Sequence, residues 1–139
     1  MIGGVIVSHG KLAEELLNAV IIILGEAPNI EAISIGWYDD VEESKKKISQ
    51  SLKKVDQKNG VIIFTDMFGG TPSNLSFSFL AENKVEIITG VNMPMLITFS
   101  TARVPSAASN STGTGIIMAS TRVGRTSSAM PSRSGTECP

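Results

Sequence analysis

The chain contains a single histidine, His9, which follows a short apolar run and precedes Gly10. At neutral pH, histidine is the side chain best suited to act as a nucleophile or to carry a proton. A carboxylate that accepts a hydrogen bond from one ring nitrogen leaves the other nitrogen free to attack. Asp66 follows another apolar run and is the candidate for that carboxylate. An ordinary loop histidine and a turn-forming aspartate are the alternatives that these two residues leave open.

A second candidate feature is the run Gly69, Gly70, Thr71 and Pro72, which is typical of a helix start. Backbone N–H groups at a helix start bind anions, and glycines let a phosphate approach closely. We therefore interpret Gly69, Gly70 and Thr71 as a candidate phosphate-binding site, with an ordinary strand-to-helix turn as the alternative. The spacing of a Walker loop or a dinucleotide-binding fingerprint is absent, so no nucleotide, cofactor or metal is predicted.

The charges near His9 in the sequence favour a transient phosphoryl group over a stable one. Residues 1–100 contain no arginine, and Lys11 is the cation nearest to His9 along the chain. A phosphoryl group on His9 would therefore rest mainly on backbone amides and not on a guanidinium. This predicts a relay that passes the group on.

Short apolar runs alternate with segments of helical periodicity and predict the order β-α-β-α-β-α-β-α. This order indicates an α/β fold, a doubly wound open parallel sheet of four strands with helices on both faces. Ligands bind such sheets beyond the carboxyl ends of the strands, where the strand order reverses. If the first and third strands flank that point, His9 and Asp66 face one crevice. The predicted strands are Gly4–Ser8, Ile30–Gly36, Val61–Thr65 and Val85–Thr89.

The helices are predicted from apolar spacing and from residues that favour helix ends. The first spans Lys11–Leu24, and Asp39 is the expected N-cap of the second. Thr71 is the expected N-cap of the third helix, which runs to about Asn83. The fourth helix begins near Met95.

Two further pairs of residues lie at the predicted carboxyl edge of the sheet. Trp37 and Tyr38 are either exposed aromatic residues that dock a partner or residues packed into the core or loop. Asn92 and Pro94 either shape the crevice wall or form a simple turn.

Composition limits the class of protein. A length of 139 residues is typical of one domain, and a net charge of −1 argues against a nucleic-acid partner. The single cysteine, Cys138, forms no internal disulfide. The longest apolar run, Ala19–Leu24, has six residues, against about 20 for a membrane span. No basic residue precedes Lys11 to form a secretion signal, so a cytoplasmic location is expected.

The composition changes sharply after residue 100. Residues 1–100 hold all eight lysines, whereas residues 101–139 hold all four arginines, 14 serines and threonines and no leucine. We predict a domain of residues 1–100 and an atypical tail of residues 101–139. The tail is either a polar segment without fixed structure or a terminus replaced by a frameshift. Its one strand-like segment is Thr114–Ala119.

Three motifs together resemble one known family. They are IVSHG at the first strand, FTDMFGGTPSN at the third and ITGVNMPML at the fourth. In order and spacing they are similar to the IIA component of the mannose/fructose family of the bacterial phosphoenolpyruvate-dependent sugar phosphotransferase system. The resemblance covers residues 1–100 approximately and departs from the family pattern in the tail.

The resemblance implies a phosphoryl carrier. In this family the IIA domain takes a phosphoryl group from the phosphocarrier HPr onto a histidine that matches His9. It passes the group to a IIB domain, which phosphorylates the sugar that enters through a membrane permease. The family's supporting aspartate matches Asp66, and its phosphate-loop hydroxyl matches Thr71. The family forms homodimers in which a C-terminal antiparallel edge strand crosses to the partner's sheet, and Thr114–Ala119 is the candidate for that fifth strand.

Alternatives from other classes stay open. A regulatory module would accept phosphate to signal sugar status without feeding a transporter. A non-functional product would result if the altered tail disabled folding or dimerisation. A small hydrolase built on His9 and Asp66 is disfavoured, because no serine or cysteine nucleophile lies in a recognisable motif.

Overall fold

Strands and helices alternate along the chain in a computed structural model that describes residues 1–82 and 84–102, and the backbone of residues 121–122. Within these ranges, none of the helices is both long and apolar enough to traverse a lipid bilayer. The elements are β1 (Gly3–His9), α1 (Leu12–Leu24), β2 (Ile30–Ile35), α2 (Val41–Val55), β3 (Val61–Thr65), α3 (Thr71–Phe77), β4 (Val85–Thr89), α4 (Met93–Ala102) and β5 (Thr121–Arg122).

The sheet has the strand order β2-β1-β3-β4-β5, in which β1 to β4 are parallel. The chain runs from β1 outward to β2 and then returns past β1 to β3. The strand order therefore reverses between β1 and β3, where Val7 lies opposite Thr65. The predicted doubly wound α/β sheet is confirmed. Its switch point lies between β1, which ends in His9, and β3, which directly precedes Asp66.

Two apolar layers bury both faces of the sheet. On one face, Val5, Val7 and Ile63 pack in a core with residues of α2 and α3. On the other face, Ile6 and Phe64 pack with residues of α1 and α4. Successive strand residues point to opposite faces, so a continuous apolar run is what a strand between two helical layers requires. This double burial anchors the strand ends at which the polar residues lie.

The start of α2 differs by one residue from the prediction. Asp40 is the N-cap, and its side chain accepts the N–H of Glu43 at 3.0 Å. Asp39 instead accepts the N–H of Gly36 at 2.8 Å. The prediction that Asp39 caps this helix is wrong, because its carboxylate closes the turn that leaves β2.

The helix α3 is shorter than predicted and ends at Phe77. The N–H groups of residues 78–80 each donate to the carbonyl three residues earlier, which tightens the chain into 3₁₀-type turns. The hydroxyl of Ser78 donates to the Leu75 carbonyl at 2.7 Å and so competes with continuation of the helix. Asn83, the predicted end, lies outside the described residues.

The strand β5 adds a short antiparallel edge to the sheet. Thr121 lies opposite Thr89, and Arg122 lies opposite Ile88, both in β4 of the same chain. The sheet therefore has a fifth, antiparallel edge strand, as predicted, but this strand pairs within its own chain and the prediction had it cross to a partner's sheet. Thr114–Ala119, the segment proposed for it, lies outside the described residues, as does the rest of the tail apart from this strand and residues 101–102.

Candidate active site

His9 is the last residue of β1 and stands at the switch point of the sheet. Gly10 follows with a φ of 55°, and its N–H donates to the Ile35 carbonyl at 2.9 Å. Ser8 is wholly buried, and its hydroxyl oxygen accepts the N–H of Ala13 at 2.6 Å. This bond ties the first turn of α1 to the end of β1. The short turn that carries His9 is thus held by both neighbouring elements.

The structure brings Asp66 into direct contact with His9. The imidazole Nδ1 lies 2.6 Å from Asp66 Oδ2, and the main-chain N–H of His9 donates to the same oxygen at 2.9 Å. The other carboxylate oxygen accepts the N–H of Met67 at 2.9 Å. Because an ionised carboxylate only accepts hydrogen bonds, Nδ1 carries the hydrogen and the lone pair lies on Nε2. One ring nitrogen is fixed, and the other is available for chemistry.

The carboxylate of Asp66 is held in its charged form. Its side chain is 10% exposed, against 46% for the side chain of His9. Burial would raise the pKa of Asp66, but hydrogen bonds from the His9 main chain and imidazole, the electrostatic attraction of His9 and the Met67 N–H outweigh it. The pKa of Asp66 therefore lies below its ordinary value of 3.8. At neutral pH this carboxylate is ionised and can orient the imidazole.

The loop between β3 and α3 passes over the imidazole. Gly69 has a φ of 82° and donates its N–H to the hydroxyl oxygen of Ser73 at 3.0 Å. Gly70 is the N-cap of α3, one residue before the predicted Thr71. A Cβ atom on Gly70 would lie 2.6 Å from His9 Cε1 and 3.2 Å from His9 Nε2. A side chain at this position would therefore displace the imidazole or the loop.

The candidate phosphate-binding residues contribute in different ways. In the described part of the chain, the N–H groups of Gly70 and Thr71 donate to no acceptor, whereas that of Gly69 is taken by Ser73. Thr71 is exposed and lines the same cleft as His9. Two backbone donors without an acceptor and the exposed Thr71 thus lie in the loop next to His9, and the left-handed backbone of Gly69 turns this loop.

A cleft of about 490 Å³ opens beside His9, between the loop that follows β2 and the start of α3. Trp37 lines this cleft, and Tyr38 follows it in the chain. The two residues are 91% and 96% exposed, so the interpretation that they pack into the core or loop is wrong. Their exposure is what the docking interpretation requires.

The residues after β4 do not line this cleft. Asn92 accepts the N–H of Met95 at 2.9 Å through its side-chain oxygen and so caps the first turn of α4. Pro94 is an exposed residue of the same turn. Both therefore serve the local structure, as the simpler of the two interpretations held.

Sequence reasoning missed two buried serines, Ser8 and Ser73, that hold the two loops of the site. Both are wholly buried, and both bond to main-chain groups of those loops. A buried hydroxyl is costly unless it is hydrogen-bonded. The signal that could have indicated them is their position, because Ser8 directly precedes His9 and Ser73 follows the glycine pair by three residues.

Comparison with known proteins identifies the family. The family model for the PTS system fructose IIA component, in which PTS denotes the phosphotransferase system, matches residues 3–114. The chain belongs to this family. It is 33% identical over 98 residues to the PTS system fructose-specific EIIA component of Bacillus subtilis (strain 168). That match covers 70% of this chain and 67% of the relative.

Two further proteins of this kind are similar to the chain. The PTS system mannose-specific EIIAB component of Escherichia coli (strain K12) is 35% identical over 100 residues, covering 71% of this chain and 31% of the relative. The chain thus spans about a third of that protein. The crystal structure of the PTS IIA protein associated with the fucose utilization operon of Streptococcus pneumoniae superposes with a TM-score of 0.67 and 26% identity. This superposition covers 71% of the present chain and 76% of the Streptococcus pneumoniae protein. The family predicted from the three motifs is confirmed.

Proposed function

We propose that this chain is a cytoplasmic phosphoryl carrier of a sugar phosphotransferase system. It accepts a phosphoryl group from phospho-HPr on His9 and passes it to a IIB domain, which serves sugar uptake through membrane permease components. The observation that carries the proposal is the pairing of His9 Nδ1 with Asp66 Oδ2 at 2.6 Å, which leaves Nε2 as the nucleophile.

The first transfer forms a bond from His9 Nε2 to phosphorus and breaks the bond from phosphorus to the donor side chain. The attack is in line, through a loose transition state. Positive charge develops on the imidazole as its lone pair is shared, and the ionised Asp66 stabilises that charge through Nδ1–H. The second transfer reverses these roles, because the acceptor side chain of IIB attacks the same phosphorus and returns the lone pair to Nε2.

The loop at the start of α3 supplies the phosphate contacts. The N–H groups of Gly70 and Thr71 and the Thr71 hydroxyl bind the equatorial oxygens of the transferred group, and Gly69 shapes the loop. Residues 1–100 contain no arginine, so no guanidinium from this part of the chain clamps the group. A phosphoryl group that rests on amides leaves easily, which suits a relay.

The chain is proposed to act as a homodimer, as its family resemblance implies. The last turn of α1 leaves Ile22 and Ile23 83% and 62% exposed. Adjacent exposed isoleucines are typical of a surface that a partner covers. Sedimentation velocity of the full chain tests this part of the proposal.

The phosphoryl-carrier proposal is tested by incubating the protein with phosphoenolpyruvate, Enzyme I and HPr. The intact mass is followed at alkaline pH, where phosphohistidine survives. We expect the wild-type protein to gain one phosphoryl group and His9→Ala to gain none, because the nucleophile is gone. Retained labelling of His9→Ala, with a cooperative thermal melt like that of the wild type, contradicts the assignment of His9.

The same experiment separates the alternatives. When a IIB domain is added, loss of the label from His9 to IIB supports a transport relay. A phosphorylated protein that keeps its label favours the regulatory module. A folded wild-type protein that takes up no label favours the non-functional product.

A further inference from the structure

Ser73 lies in the first turn of α3 and is wholly buried. Its hydroxyl oxygen accepts the N–H of Gly69 at 3.0 Å, and its hydrogen is donated to the Gly70 carbonyl at 3.0 Å. One side chain thus holds the two peptide groups that flank the Gly69–Gly70 step.

The position of this loop decides how much room surrounds the reactive nitrogen. Gly69 takes the left-handed conformation that turns the chain, and Gly70 then lies so close to His9 that a Cβ would approach Cε1 to 2.6 Å. A shift of the Gly70 main chain by a fraction of an ångström would therefore change the space beside His9 Nε2. A loop that contains two glycines does not hold such a position by its own stiffness, because glycine has the greatest backbone freedom.

We propose that Ser73 is a positioning residue for the transfer reaction. Its hydroxyl fixes the Gly69–Gly70 segment so that the Gly70 and Thr71 N–H groups face the phosphoryl group on His9 Nε2. Ser73 itself forms and breaks no covalent bond and moves no proton in the transfer. This inference rests on the proposed phosphoryl-carrier function and names a residue on which its rate depends.

The same helix provides a matched control. Ser76 is also wholly buried, and its hydroxyl donates to the Pro72 carbonyl at 2.7 Å, within the helix. Ser76→Ala therefore removes a buried hydroxyl of equal size and one hydrogen bond without removing a bond to the glycine loop. A purely structural effect of losing a buried serine hydroxyl appears in both variants.

The test measures the initial rate of His9 phosphorylation against phospho-HPr concentration for the wild type, Ser73→Ala and Ser76→Ala. We expect kcat of Ser73→Ala to fall about tenfold with KM within about twofold, because misplaced donors weaken transition-state binding. Ser76→Ala keeps the wild-type kcat. The amide NMR signals of Gly70 and Thr71 shift in Ser73→Ala and stay in place in Ser76→Ala.

A second variant covers the case in which Ser73→Ala does not fold. Ser73→Cys leaves no cavity, but a thiol is a weak hydrogen-bond donor and acceptor, so a loss in kcat is expected here too. The inference is overturned if the Ser73 variants keep the wild-type kcat, or if Ser76→Ala loses as much. In both of those cases the wild type is still labelled on His9, so the proposed function stands. A folded wild type that takes up no label overturns the function and the inference together.

Discussion

The two strand ends that meet at the switch point contribute different things to the site. The end of β1 supplies one reactive side chain, His9, and presents it with its side chain 46% exposed. The segment from the end of β3 to the first turn of α3 supplies the carboxylate of Asp66, the close approach of Gly70 and the buried hydroxyl of Ser73. The imidazole of His9 is thus nearly half exposed, whereas the carboxylate of Asp66 and the hydroxyl of Ser73 are largely withdrawn from solvent.

This difference has a kinetic consequence. In the proposed transfer, exposed residues at the edge of the cleft, such as Trp37, would meet the partner and so contribute mainly to binding. In the proposed transfer, the groups that contact the imidazole from the β3–α3 loop would act on the phosphoryl group and so contribute mainly to the transition state. Substitutions in the loop between β3 and α3 should therefore lower kcat. Substitutions on the exposed rim of the cleft, where Trp37 lies, should raise KM.

The largest effect after loss of the histidine is expected from Gly70→Ala. The added Cβ meets His9 Cε1 at 2.6 Å, so the ring or the loop has to move and the geometry of the His9–Asp66 pair is disturbed. We expect the phosphorylation rate to fall at least about a hundredfold. The initial rate of labelling by phospho-HPr measures this effect.

Gly90→Ala is the matched control for that variant. Gly90 has a φ of 80° after β4, and nothing lies within 4 Å of the added Cβ. It should cost about 1–2 kcal/mol of stability through its left-handed backbone and leave the rate unchanged. Equal rates for the wild type and Gly70→Ala would show that the close approach to His9 has no kinetic role.

The next effect is expected from Asp66→Asn. The amide keeps the shape and can still accept a hydrogen bond from Nδ1, but it no longer stabilises positive charge on the ring. We expect kcat to fall about tenfold to a hundredfold while His9 is still labelled. A change confined to KM would mean that Asp66 contributes to binding of phospho-HPr and not to the transition state, and would contradict its assigned role.

Much of this arrangement follows from the sequence. Apolar runs that end in His9 and precede Asp66 predict buried parallel strands, and the rule that ligands bind at the switch point places the two residues together. The four strands of the parallel sheet and the family were therefore predictable. The contacts of Ser73 and Gly70 were not, because they join atoms whose distance depends on the packing of a whole loop.

The errors at the helix ends have a local cause. Asp39 and Asp40 both precede a glutamate by three residues, so both fit the capping pattern, and only the fold shows that Asp39 is engaged by Gly36. The apolar residues Phe79 and Leu80 continue the helical spacing of α3, which favoured a longer helix. Serine hydroxyls that bond to nearby carbonyls end it earlier.

A smaller effect is expected on the exposed rim, from Trp37→Ala. Trp37 is 91% exposed beside the cleft, where its loss removes contact area from a docking partner. Truncation of one such aromatic residue costs about 1 kcal/mol, or about fivefold in KM for phospho-HPr, with kcat unchanged. Leu80→Ala, on an exposed apolar residue that does not line the cleft, is the control and should leave KM as it is. A fall in kcat for Trp37→Ala would mean that exposed residues at the edge of the cleft also affect the transition state, as the residues of the β3–α3 loop are expected to do.

The smallest effect concerns stability and pH. The pKa of Asp66 is lower in the folded chain than its ordinary value of 3.8, chiefly because the hydrogen bonds from His9 outweigh the effect of burial. The unfolded chain therefore binds the proton more readily than the folded chain does. The stabilisation by Asp66 is fully present above the ordinary value and is lost as the pH falls below 3.8 through the lowered pKa. Urea unfolding of the wild type and Asp66→Asn measures it as the difference in unfolding free energy. We expect this difference to be constant near neutral pH and to shrink in acid.

Glu86→Gln, which removes an exposed carboxylate from β4, is the control and should give no comparable change. A difference between wild type and Asp66→Asn that stays constant down to acid pH would mean that the folded state does not favour the ionised carboxylate. The β3 end would then hold His9 by shape and hydrogen bonds alone, and the electrostatic part of its contribution would be absent.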